Sequence, residues 1–284
     1  LNQWHLKKMI KENNIKFIFL SLSLSLIILI FFFPFFWIIT SSFKSPEEII
    51  ATSTTIIPRS FTLEHYNKIL FNSDFFIYLK NSLIVSFSSM IISIILSVSA
   101  AYGLHKLKFY GNKFVEYSLL VTYAFPGVIL LVPIYLLFAK VNLLNSYFAL
   151  IIVNVLFATP FAVWMLKAFF KLIPNEIEEA AYIDGASRYI VISRIIIPLA
   201  APGIASVSIF CFIISWTEYL FASILISGDN LKTLPVGLAG IVGQYQIDWG
   251  FLLSGAVLAS LPVILLFVFI GKYFVSGLTE GAVK

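Results

Sequence analysis

The chain has 284 residues, of which 60% are hydrophobic and 12% charged, and a formal net charge of +5. An average soluble chain holds about 45–50% apolar and about 25% charged residues, and a dispersed domain built from this composition would expose far too much apolar surface. A soluble globular fold is excluded, and lipid is the expected solvent.

Uncharged runs longer than the roughly 20 residues that cross a bilayer core occur in chain order at 17–43, 81–104, 117–139 and 141–166. A fifth runs over 195–217 and continues past Glu218 to 227, with 202–227 as its candidate span, and a sixth covers 249–271. Lengths of this kind fit helices, because barrel strands need only about ten residues and alternate polar with apolar. The expected fold is an all-α integral membrane domain of six spans, with 1–284 as a single membrane domain. Lys7, Lys8, Lys11 and Lys16 precede the first span. That span is too long for a signal core of about 7–15 residues and no small-residue cleavage site follows it, so an uncleaved anchor is expected. Residue 1 is Leu, so the start reads as processed, truncated or an unusual initiator.

Placing the N-terminus inside puts the larger share of Lys and Arg on that side. Lys106, Lys108, Lys113, Lys167, Lys171, Arg188, Arg194, Lys272 and Lys284 join the N-terminal lysines, against Lys44, Arg59, Lys68, Lys80, Lys140 and Lys232 outside. Both termini are therefore expected in the cytoplasm, and the positive net charge reads as a topology signal without a nucleic-acid partner. Segment 44–80, with Pro46 and Pro58, is expected to form short helices against the outer surface. Segment 228–250 is too apolar around 236–242 for a solvated linker and is read as re-entrant or interfacial. Pro126-Gly127, Pro133, Pro160 and Pro262 are expected to kink their spans. The single cysteine, Cys211, excludes an internal disulfide and reads as a small packing residue.

The polar island 168–201 carries the most specific pattern. Pro174-Asn175 is expected to open a helix, with Asn175 as N-cap and Glu178 at the third helical position, a capping box. Glu176, Glu178 and Glu179 in the first turn complement the positive helix end. Ala180 and Ala181 leave a smooth surface, and Ile177 with Ala181 forms an apolar face able to dock. Gly185 allows a left-handed stop, a second helix is expected over 188–196, and Pro202 fits the first turn of the fifth span. Capping alone would read equally well as an ordinary loop helix.

The register of Glu179-Ala180-Ala181, Gly185, Ile195 and Pro198 resembles the permease subunits of binding-protein-dependent ATP-binding-cassette importers. The residue before Pro198 is Ile197 where that family favours Leu. Three further stretches, Gly277 to Lys284, Trp216-Thr217-Glu218-Tyr219 and Ser42 to Tyr66, resemble the smaller permease of maltose-type sugar importers. Thr217 there departs from the commoner Asn. The resemblance implies that Glu178, Glu179, Ala180, Ala181 and Gly185 seat a coupling helix in a cleft of a cytoplasmic ATPase, while Ile195 and Pro198 anchor the loop. It implies a second related permease, two copies of an ATPase that binds ATP and Mg, an extracytoplasmic solute-binding protein and a sugar as solute. It also implies residence in the cytoplasmic membrane.

Glu218 inside the fifth span reads either as lining the solute path beside Trp216 and Tyr219 or as bonded to a neighbouring helix. Asn154 in the fourth span has the same two readings, with interhelical bonding favoured. Catalysis has little support, and a membrane-embedded enzyme would need clustered His, Asp or Glu at a membrane face. His5, His65 and His105 form no i, i+4 pair and suggest no metal site, and no Gly-x-x-x-x-Gly-Lys run for an ATP phosphate exists in the chain. A self-sufficient secondary transporter or channel is the competing reading, and it would bury more ionisable groups than the one Glu218 supplies.

Overall fold

The computed structural model describes residues 3–107, 109–240 and 247–280. It is 79% helical, with no strand among the described residues. The helices are α1 (Gln3–Ser41), α2 (Pro46–Ile50), α3 (Glu64–Phe71), α4 (Phe75–Lys106), α5 (Asn112–Ala124), α6 (Leu131–Lys140) and α7 (Tyr147–Lys171). They continue as α8 (Asn175–Ile183), α9 (Arg188–Ile190), α10 (Ile197–Leu199), α11 (Ala201–Trp216), α12 (Leu220–Leu225), α13 (Leu234–Ala239) and α14 (Trp249–Glu280).

Among the described residues, four helices are long and apolar enough to cross a membrane unbroken: Phe19–Ser41, Phe75–Lys106, Tyr147–Lys171 and Trp249–Gly271. Six spans result only if two bent pairs each count as one, Asn112–Ala124 with Gly127–Lys140 (88°) and Arg188–Leu199 with Ala201–Trp216 (76°). The single helix expected over 117–139 is thus two helices. Pro126 pushes Phe125 out of the helical region (φ −73°, ψ 128°), and the chain turns there. The fourth span begins at Tyr147, later than the expected 141, because Asn142 and Asn145 adopt positive φ and Ser146 caps the helix at Ala149 N. Pro133 sits in the first turn of α6, and Pro160 and Pro262 lie inside continuous helices, so of the expected breakers only Pro126 interrupts one.

The chain packs as two units, Leu1–Asn72 with Gln246–Leu258 and Ser73–Tyr245 with Ala259–Lys284. In the first, the segment after α1 folds around Phe43, whose ring stacks on Phe61 (4.7 Å) and Tyr66 (5.0 Å) while its carbonyl accepts Thr62 N at 2.9 Å. Lys44 is buried: its ammonium donates to Ser41 Oγ (3.1 Å) and Thr55 O (2.5 Å) and lies 4.3 Å over the Trp37 ring. The Glu48 carboxylate accepts Thr55 Oγ1 and the Arg59 amide, which closes the turn between α2 and α3. The short helices expected in 44–80 are α2 and α3, and α4 begins already at Phe75.

In the second unit α4, α7 and α11 pack together around one apolar cluster, and α4, α6, α7 and α12 enclose a second. The α4 face that makes this contact is a row of buried serines, Ser82, Ser86, Ser89, Ser93 and Ser97. Their period of three to four residues keeps them on one side of the helix. Lipid gives no hydrophobic reward for helix association, so close approach through small side chains takes its place. Opposite them α7 offers Ala149, Ala158 and Ala162, all buried. Gly203 of α11 lies against Phe169 of α7 so closely that a Cβ would meet the ring at 2.4 Å. The segment expected to be re-entrant is in part structured: α13 is covered, with Leu234 buried and Gly237 against the Tyr78 ring. Residues 241–246 and the last four residues of the tail, 281–284, lie outside the described residues.

Candidate functional site

The island between α7 and α11 starts from Pro174 (φ −59°, ψ 137°), which is itself the residue before the helix, so Asn175 is the first helical residue rather than the N-cap. The expected capping box is not formed. The Asn175 side-chain carbonyl instead accepts Lys106 Nζ at 2.6 Å, and Glu178 falls one position deeper into the helix. Glu178 is 5% exposed and forms an ion pair with Lys106 Nζ at 2.9 Å. The contact at Oε1 is charge attraction rather than a directed hydrogen bond, and Tyr102 Oη donates to Oε2 at 3.4 Å.

Ala181, one turn on, is buried against the same core as Tyr102 and Phe170. The inward face of α8 is therefore Glu178 and Ala181, and this corrects the expectation that Ile177 and Ala181 form a docking face. Glu179, Ala180 and Ile183 lie on the other side and are exposed, Ile183 to 85%. Of the residues assigned from sequence to coupling, Glu178 and Ala181 face their own chain and Glu179 and Ala180 face away.

The stop after α8 follows the expected left-handed geometry. Gly185 has φ +82°, Gly185 N donates to Tyr182 O (3.1 Å) and Ala186 N to Ala181 O (3.0 Å). This is the paired bonding of a Schellman turn, which satisfies carbonyls that the helix end leaves free. Ser187 then caps α9 by accepting Ile190 N at 3.5 Å. The expected second helix 188–196 is α9 followed by a π-helical stretch, Val191–Ile196, that runs into α10. Ile195 is half-buried in it, Ile196 is fully buried, and Pro198 is exposed in the first turn of α10. Pro202 occupies the first turn of α11, as its type favours.

The residues named for a solute path divide as well. Trp216 is buried, stacks on Phe212 at 5.5 Å and donates from Nε1 to Ala259 O at 3.2 Å. Helix α11 ends there, and Glu218 sits in the gap before α12. Its two carboxylate oxygens accept Phe221 N (2.7 Å) and Ala222 N (2.9 Å), so it caps the first turn of α12. The first turn of a helix leaves backbone amides without intrahelical partners, and the carboxylate supplies the acceptors. Tyr219 is 43% exposed beside this break. Asn154 is 97% buried in α7, whose neighbours Val153 and Phe157 pack against Phe221 and Ala222.

Sequence reasoning missed Lys106, Tyr102 and Asn81. Asn81 is buried at the other end of α4, where its amide donates to Asn230 O (2.9 Å) and Lys232 O (2.8 Å) and its carbonyl accepts Tyr147 Oη (2.6 Å). The serine period from 82 to 97 was legible and would have marked this face of α4 as buried. Nothing in the sequence links Lys106 to a glutamate so far along the chain.

A profile of the family described as "Binding-protein-dependent transport system inner membrane component" matches residues 93–280. The "Inner membrane ABC transporter permease protein YcjP" of Escherichia coli (strain K12) is 39% identical over 256 residues, 89% of this chain and 91% of that protein. The "Trehalose/maltose transport system permease protein MalG" of Thermococcus litoralis is 32% identical over 278 residues, 97% of this chain and 99% of that protein. A solved bacterial ABC transporter involved in the import of the acidic polysaccharide alginate has a chain with TM-score 0.79 at 22% identity, covering 93% of this chain and 98% of that one, and so shares the fold. The chain belongs to the family of binding-protein-dependent transport system inner membrane components and is a multi-pass membrane protein.

Proposed function

We propose, from this membership, that the chain is the non-catalytic permease subunit of an ATP-driven importer that moves a sugar or oligosaccharide across the cytoplasmic membrane. The observation that carries the reading is the presentation of α8. A helix tied to the membrane helices by Glu178 and Ala181 shows Glu179, Ala180 and Ile183 to the outside and is stopped by a left-handed glycine. An apolar tip beside an exposed carboxylate suits a cleft with an apolar floor and a basic rim, which an ATPase subunit would supply.

In this reading α8 is cytoplasmic, both termini lie on that side, and the chain acts as one permease domain. Its partners are a second, related permease, two copies of the ATPase, which bind ATP and Mg, and an extracytoplasmic solute-binding protein. Closure of the ATPase dimer displaces α8 and shifts the spans between inward and outward openings by differential binding to the two states. The sugar assignment draws on the relative named for trehalose and maltose. Tyr219 is the solute contact that best fits, since Trp216 and Asn154 are buried and Glu218 is engaged at α12. Expression of the intact gene cluster followed by affinity purification on this chain tests the reading: the ATPase should co-purify. A transport-competent preparation containing this polypeptide alone would refute it.

A further inference from the structure

Helix α4 differs from the other unbroken spans in having no proline: α1 contains Pro34, α7 Pro160 and α14 Pro262. Its 32 residues form a rod of about 48 Å. Both ends of that rod are fastened to segments far away in sequence by polar contacts that include the buried Glu178, Asn81 and Ser82. At one end Lys106 holds Glu178 (2.9 Å) and Asn175 (2.6 Å) of α8. At the other, Asn81 holds the carbonyls of Asn230 and Lys232 (2.9 and 2.8 Å), and Ser82 Oγ accepts Leu234 N at 2.7 Å. Gly237 seals the same contact against the Tyr78 ring, where a Cβ would lie 2.1 Å from a ring carbon. Clamps of this kind resist slippage, because separating them leaves a charge or an amide unpaired in a poorly solvated site.

We propose that α4 is the strut that carries displacement of α8 through the membrane to segment 230–237, and that Glu178 and Asn81 are the positioning residues that fasten its two ends. The proposal rests on the importer reading above and gives Glu178 a different task from Glu179. Glu179 faces outward for a partner, whereas Glu178 transmits motion within this chain. Two sites joined by a stiff element whose ends cannot slip share one displacement, which is the physical basis of coupling between them.

The test uses the complete transporter in lipid nanodiscs. Asp229, with 75% of its side chain exposed, is replaced by cysteine, and its reaction with a membrane-impermeant maleimide is timed without nucleotide and after trapping with ATP and vanadate. Trapping should change the labelling rate by about tenfold in the otherwise unaltered complex, and Glu178→Gln, Lys106→Met or Asn81→Leu should shrink that change to about twofold. The exchange Glu178→Lys with Lys106→Glu should restore most of it, which a generally weakened fold would not do. A full response in single variants that still hold the ATPase and trap vanadate overturns the strut, as does an unaltered complex whose labelling is indifferent to trapping, or failure of the charge exchange to restore the response. Absence of the ATPase from the unaltered complex would instead overturn the importer reading.

Discussion

Replacing Gly185 separates backbone strain from every other effect, because a Cβ built there meets nothing within 4 Å while φ is +82°. An L-residue with a Cβ held in the left-handed region costs roughly 1–2 kcal/mol. Since about 1.4 kcal/mol is a factor of ten in an equilibrium, Gly185→Ala should lower the population of the closed turn by about tenfold. Gly185→Asn should cost less, because Asn tolerates this region, and Gly185→Val more, because its branched side chain is stiff at χ1. The bonds at stake are Ala186 N to Ala181 O and Gly185 N to Tyr182 O, which set the direction in which α9 leaves α8. The assay is ATPase retained per purified permease, together with solute uptake per assembled complex. The expected order is glycine, asparagine, alanine, valine. Gly111 supplies the control, since it too has positive φ (+94°) with no neighbour within 4 Å but lies before α5. Gly111→Ala should leave the retained ATPase near its original level. Full docking and uptake in Gly185→Val, or an equal loss in Gly111→Ala, would refute the argument.

Gly203→Ala should lower the thermal midpoint of the purified complex, because its Cβ would lie 2.4 Å from the Phe169 ring; overpacking of this kind costs about 1–3 kcal/mol, and Phe169→Leu should recover part of it. Glu218→Gln removes one of the two acceptors that cap α12 and should reduce stability by about 1–3 kcal/mol without changing the solute concentration that half-saturates uptake, whereas Tyr219→Leu should change that concentration. A Glu218→Gln complex of normal yield with altered half-saturation would return the carboxylate to the solute path. The Thr55 hydroxyl and the Arg59 amide hold the Glu48 carboxyl below its ordinary value of 4.5. Its contribution is therefore complete above that value and is lost as pH falls through the lower, folded one. The midpoint of Glu48→Gln should accordingly vary less than that of the unaltered chain over this acidic range, and parallel curves would contradict the assignment.

Much of this protein was set by its sequence through rules that act over a few residues. Long apolar runs demand lipid and helices, Pro126 forbids a straight helix through Phe125, and Gly185 after an acid-rich helix announces a left-handed stop. Such features depend on backbone sterics and solvent, so neighbouring residues suffice to read them. The facing of each side chain was not settled in that way. Glu178 and Glu179 are adjacent and chemically alike, yet one is buried and the other exposed, because Lys106 and Tyr102 at the end of α4 meet only one side of α8. Likewise Glu218 reads from sequence as a charge in a span, and only the break between α11 and α12 turns it into a cap. Ion pairs and buried acceptors are chosen by whatever distant segment the packing of α4, α7 and α11 brings within about 3 Å, and that juxtaposition exists only in three dimensions.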